Sequence, residues 1–133
     1  MVSAQFGSKG ERGSVMVEFA FLASLLLLIL FGIIQFGLVF NVQLSLNYAA
    51  REGVRLAALP SPQTDAQIKS SIMASVPSYI AITADNISIT PAIRPRGQPV
   101  TLTITYPYAV PVTMGVLPDR YNLRAQAVMM AGI

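Results

Sequence analysis

The chain has 133 residues, a net charge of +3, 53% apolar residues and only 11% charged ones. This length suggests one domain, and the charge content falls well short of the roughly 25% usual in soluble domains, which argues against a purely soluble protein. Cys, His and Trp are absent; that excludes disulfides, thiolate and imidazole metal sites, a cysteine nucleophile and a Ser-His-Asp arrangement.

The six acidic residues are scattered, with no Asp or Glu pair spaced to share a site. No glycine-rich phosphate loop is present, and the basic residues form no cluster of the kind that binds nucleic acid. The expectation is therefore a protein that is not an enzyme, with no cofactor, no bound metal and no nucleic-acid partner.

Residues 1–13, MVSAQFGSKGERG, are polar and aperiodic and read as a flexible leader. Lys9, Glu11 and Arg12 precede an apolar run, as in the n-region of a targeting signal. The run is longer than a secretory h-region and no A-x-A cleavage site follows it, so the apolar segment is expected to remain in the mature protein. That run, FAFLASLLLLILFGIIQFGLVF at 19–40, holds only Ser24 and Gln35 as polar side chains. About 20 helical residues cross a bilayer core of roughly 30 Å, which makes 19–40 a transmembrane helix.

No proline or turn signal follows until Pro60. Val42, Leu46, Ala49, Gly53 and Ala57 recur on one face, and Asn41, Ser45, Tyr48, Glu52 and Arg55 on another. The helix thus continues as an amphipathic segment. A helix over 14–59 is about 70 Å long. Glu52 and Arg55 form an i,i+3 pair worth a few tenths of a kcal/mol; with Arg51 they are also candidates for a subunit contact.

Residues 60–133 read as a small separate domain. Pro60, Ser61 and Pro62 break the long helix. Thr64 and Gln67 form a capping box, followed by the apolar stripe Ile68, Ile72 and Val76 of a short helix that Pro77 ends. The period then changes to two. NISIT alternates Ile87 and Ile89; VTLTITY alternates Val100, Leu102, Ile104 and Tyr106; YNLRAQAVMM alternates Tyr121, Leu123, Ala125, Ala127 and Met129. Three half-buried strands predict an antiparallel sheet with one wet face. The fold class is α+β: a long N-terminal helix, then one short helix and a three-stranded antiparallel sheet. The small residues Ala49, Gly53 and Ala57 offer a second backing helix at close approach. The segment 107–119 reads as an apolar loop that either folds onto its own core or docks on a partner or membrane. The sequon at Asn86 is read as chance.

Glu18 stands at the mouth of the apolar run, where a carboxylate is costly and usually paired. Cleavage after Gly13 would leave Ser14 as a free ammonium, with Glu18 in the first turn of a helix whose dipole favours an anion. In a bundle of staggered helices, Glu18 of one chain could pair with the Ser14 amine of the next. The bland alternative is an interfacial carboxylate on an ordinary signal anchor.

The stretch G-SVMV-EF, residues 13–19, resembles the processing site of type IV prepilins of the Flp/Tad class. Residues 11–58, with the run AAREGVR at 49–55, resemble TadE-like pseudopilins, and AQAVMM at 125–130 is also similar. The pattern departs from the family in having no proline near Ser24 and no acid at Gln35. The resemblance implies a minor pilin or pseudopilin of a tight-adherence pilus or secretion system, located in the bacterial inner membrane with its N-terminus cytoplasmic and its tail extracytoplasmic. Charge leaves this orientation open, since Lys9 and Arg12 are offset by Arg51 and Arg55.

Implied partners are a prepilin peptidase, other pilin or pseudopilin subunits, the inner-membrane assembly platform and membrane lipid. The processing residues implied are Gly13, Ser14, Glu18 and Phe19. Residues for assembly or helix packing are Glu18, Gln35, Ala49, Gly53, Arg51 and Arg55. Gln35 either hydrogen-bonds across helices or bonds backbone or water. Gly32 and Gly37 either soften the helix or reflect the frequency of glycine in membrane spans. A second function stays open: a membrane-anchored extracytoplasmic binding domain that never assembles.

Overall fold

The computed structural model describes residues 9–60, 63–110 and 120–132. The elements are α1 (Lys9–Ala57), α2 (Asp65–Ser75), a 3₁₀ turn (Ala84–Asn86) and the strands β1 (Ile87–Thr90), β2 (Pro99–Ala109) and β3 (Arg120–Met130). The α+β class is as expected, with the strands ordered β1-β2-β3 in one antiparallel sheet. By compactness the chain divides into Met1–Gly37 and Leu38–Ile133, and α1 contributes to both.

α1 begins earlier than the leader boundary suggests. It takes in Lys9 to Gly13, residues that have no apolar period of their own. Extending an existing helix needs no new nucleus, and Glu11 in its first turn suits the positive end of the helix dipole. Those gains offset Gly10 and Gly13, each costing up to about 1 kcal/mol relative to Ala. At the other end, the Ala58 N–H bonds the Val54 carbonyl at 3.0 Å, and Leu59 and Pro60 follow outside the helix.

The Leu38–Ile133 unit holds the core. From α1 come Val42, Leu46, Ala49, Ala50, Val54 and Ala57; from α2 and the turn after it Ile68, Ile72, Val76, Ile80 and Ile82; from the sheet Ile87, Val100, Leu102, Ile104 and Ala125. α2 starts as its sequence dictates. The Thr64 hydroxyl accepts from the Gln67 N–H at 3.4 Å, while Gln67 Oε1 accepts from the Thr64 N–H at 3.0 Å. Val76 leaves the helix in an extended conformation just before Pro77.

The inner sheet face runs through the apolar partners of the alternation. Ile87 pairs with Ile104, which pairs with Ala125; Ile89 pairs with Leu102, which pairs with Ala127. The outer face carries Ser88 opposite Thr103 and Thr103 opposite Gln126, the wet side of a half-buried sheet. β2 runs on through Pro107, Tyr108 and Ala109, residues the sequence reading placed in a loop. Pro107 is opposite Asn122 of β3, beyond the end of β1. Its missing N–H lies on the side of β2 that no strand continues, where a strand tolerates proline. The rest of that expected loop, 111–119, lies outside the described residues.

The C-terminus closes the unit. The Ala131 N–H donates to the Gln98 carbonyl at 2.9 Å, the Gly97 N–H to the Ala131 carbonyl at 2.8 Å, and the Gly132 N–H to the Ala58 carbonyl at 2.8 Å. The last bond satisfies a carbonyl that the end of α1 would otherwise leave open. Gly97 and Gly132 have φ of 79° and 72°, a backbone region in which a Cβ is strained.

Candidate functional site

The processing set Gly13, Ser14, Glu18 and Phe19 lies on one continuous stretch of α1 and is exposed throughout. A Cβ placed on Gly13 would meet nothing within 4 Å. Packing among the described residues therefore does not explain this glycine, where Ala would favour the helix by up to about 1 kcal/mol. Among the described residues Glu18 makes no ion pair.

Beyond Glu18 the apolar side chains are bare: Phe19 is 71% exposed, Leu26 66% and Phe36 80%. Water does not tolerate such a surface on a monomer, and α1 is long and apolar enough to cross a membrane. Its polar interior residues suit that medium. The Ser24 hydroxyl donates to the Ala20 carbonyl at 2.8 Å, returning its hydrogen bond to its own helix. Gln35 is buried.

The remaining residues of the expected set separate by the face of α1 they occupy. Ala49 and Gly53 point into the core of the Leu38–Ile133 unit, and a Cβ on Gly53 would collide with Ile72 and lie 2.7 Å from Leu102 Cδ1. They serve close packing within the unit. Arg51 and Arg55 face outward.

Arg55 donates to Glu52 through Nε (3.0 Å to Oε2) and Nη2 (2.6 Å to Oε1). Those hydrogen bonds, more than the bare charge of Arg55, hold the Glu52 carboxyl below its ordinary value against a small opposing effect of burial. The same bonds raise Arg55. Stabilisation by this pair is therefore present above the ordinary carboxylate pKa and lost as the pH falls through the lowered one. It is small, because both groups are open to solvent. Arg51 has no ion pair among the described residues. It shares a shallow hollow with Tyr48, Glu52, Arg55 and Met129.

Two contacts were not foreseen from sequence. Arg94 Nη2 donates to Asp65 Oδ1, with the Arg94 side chain only 6% exposed. Gln43 Nε2 donates to the Arg124 carbonyl on β3 at 2.9 Å. Each joins segments far apart in the chain, where no local spacing gives notice of them. Asn86, of the sequon, uses its side-chain oxygen to accept from the Thr83 N–H at 2.8 Å and the Thr83 hydroxyl at 2.9 Å. Among the described residues no acidic cluster is arranged to hold a metal ion.

No curated protein and no solved structure matches the chain. The model of the TadE-like protein family does match, over residues 13–55. The matched segment opens on Gly13, takes in the bare apolar stretch and closes on Arg55. An exposed apolar helix within such a segment fits anchoring in a membrane. The residues around Gly13 and Glu18 and the AAREGVR run all fall within that segment: over residues 13–55 the chain is similar to the TadE-like protein family.

Proposed function

We propose that the chain is a minor pilin or pseudopilin of a tight-adherence pilus system, a structural subunit and not an enzyme. It is made as a precursor in the inner membrane, with residues 1–13 cytoplasmic and the sheet-bearing unit outside. A prepilin peptidase cuts after Gly13. The apolar helix then anchors the subunit among the helices of other pilins at the assembly platform, with Glu18 paired to the Ser14 amine of a neighbour.

The observation that carries this reading is the family match opening on Gly13, a glycine that no contact in the structure requires. A small residue at the scissile bond supplies the reason that packing does not. The exposed apolar face of α1 supports the rest, since lipid or other helices must cover it.

The test is N-terminal sequencing of the protein from native membranes. Ser14 as first residue is the expected outcome; Met1 would remove the peptidase step. Glu18→Gln, which keeps the shape and deletes the charge, should still insert and be cut. It should lose crosslinking to other pilins, because a partner ammonium is left without its anion near hydrocarbon. Undiminished crosslinking would make Glu18 an interfacial residue only.

A further inference from the structure

β3 is an edge strand of eleven residues, against four for the opposite edge β1. Its hydrogen-bonding sense is fixed by its end. The Ala131 N–H and C=O both bond back toward β2, to Gln98 and Gly97. In an antiparallel pair this sense alternates, so odd-numbered residues of β3 face β2 and even-numbered ones face outward.

Two outward groups agree. The Arg124 carbonyl accepts from Gln43, and the Gly132 N–H donates to the Ala58 carbonyl. Between these two ties the outward backbone groups of Gln126, Val128 and Met130 have no hydrogen-bond partner among the described residues. The side chains there are bare as well, Val128 at 58%, Met129 at 41% and Met130 at 49%. β3 has neither a lysine nor a proline, the usual guards of such an edge.

The surroundings select for charge. On the inner side Arg51 and Arg55 share a hollow with Met129, and Arg55 with Leu59 and Met130 lines a second. On the outer side stands Arg124, whose neighbour across the sheet is Thr105. Of these three arginines only Arg55 has a carboxylate partner among the described residues. No strand among the described residues contains an Asp or Glu, so one of these strands from a second copy would bring no counter-charge and, if it were β3, two more arginines.

We propose that the edge of β3 from Gln126 to Met130 is a docking site for an extended, acidic segment of a different protein, which adds to the sheet as a fourth strand. Main-chain bonds to Gln126, Val128 and Met130 supply the affinity. Carboxylates alternating with apolar side chains supply the specificity, as in other cases of strand addition. This site is independent of whether the chain is cut after Gly13.

The experiment uses the full chain in detergent micelles and two fluorescent heptapeptides, one alternating Glu with Val and one alternating Lys with Val. The Glu–Val peptide is expected to bind, to weaken with added salt, and to slow amide exchange at Gln126, Val128 and Met130. Val128→Pro removes an outward donor and leaves the bonds to β2 intact; it should abolish binding. Arg51→Glu, on the exposed face of α1, should weaken the Glu–Val peptide at least about tenfold without shifting the melting temperature. Equal binding of the Lys–Val peptide, unchanged exchange at the three amides, or undiminished binding to both variants would overturn the proposal.

Discussion

Arg94 and Asp65 join the loop after β1 to the first turn of α2 through one ion pair. The two sides are not equivalent. The Arg94 side chain is 6% exposed and that of Asp65 48%. A guanidinium so far from water depends on its partner, whereas the carboxylate keeps water of its own. Asp65 also stands at the positive end of the α2 dipole, where an anion is favoured. Asp65→Asn should therefore destabilise the sheet-bearing unit by about 1–3 kcal/mol, the range for losing a hydrogen bond to a buried charged group. A lower urea midpoint of the full chain in micelles, at unchanged slope, is the expected reading. Adding Arg94→Met to Asp65→Asn should recover part of the loss, since the stranded charge is gone. A double variant weaker than the single one by the full cost of Arg94→Met alone would show that the two residues act independently.

At the scale of elements, Gly53 sets two physical effects against each other. By helix propensity alone Gly53→Ala gains up to about 1 kcal/mol. In the structure the added Cβ collides with Ile72 and crowds Leu102, both fully buried. Overpacking of a filled core costs about 1–3 kcal/mol, so the variant should melt lower than the parent. Gly37→Ala meets nothing within 4 Å and should not. Melting both variants side by side decides it; a rise for Gly53→Ala would mean that α1 and α2 separate easily.

The same contrast explains what was legible in the sequence. The capping box of α2 was readable because Thr64 and Gln67 act over three residues. The strands were readable because their alternation is set by burial on one face. The small face of Ala49 and Gly53 announced a close approach but not its partner, because Ile72 and Leu102 come to it only through the tertiary fold. The start of α1 at Lys9 was hidden, since those residues take their helicity from the run that follows them. β2 extends past Pro107 because β1 stops short of it, which depends on register and not on the residues of β2. The glycine-to-glutamate spacing from Gly13 to Glu18 is local and visible in the sequence, but its use in processing is decided by the N-terminal sequencing proposed above and not by the fold. The open edge of β3 was not, because no sequence says which strand is outermost.

For the whole molecule, the compact unit that carries the sheet begins at Leu38, inside α1, well before Pro60. The prolines at 60 and 62 mark where a helix ends, not where a core ends. α1 contributes Val42, Leu46 and Val54 to that core, each no more than 4% exposed, together with Ala49, Ala50 and Ala57. Burying a Val or Leu side chain stabilises by roughly 1.5–3 kcal/mol, so the three large ones together are worth about 4.5–9 kcal/mol as an upper estimate. A small domain is stable by only about 5–15 kcal/mol in total. Removing residues 38–59 therefore withdraws a contribution comparable to the whole margin. It also bares the inner face at Leu102 and Ile104 and leaves the Gly132 N–H without the Ala58 carbonyl. Residues 60–133 expressed alone should show a broad, non-cooperative melt and bind a hydrophobic dye. Residues 38–133 should melt in a single sharp transition and leave the dye free in solution. The comparison separates two roles for one helix. If the shorter fragment melts as sharply and as high as the longer one, α1 belongs to the anchor alone. The expected difference would make its C-terminal part a structural member of the sheet unit, so that pulling on the anchor would load the core itself.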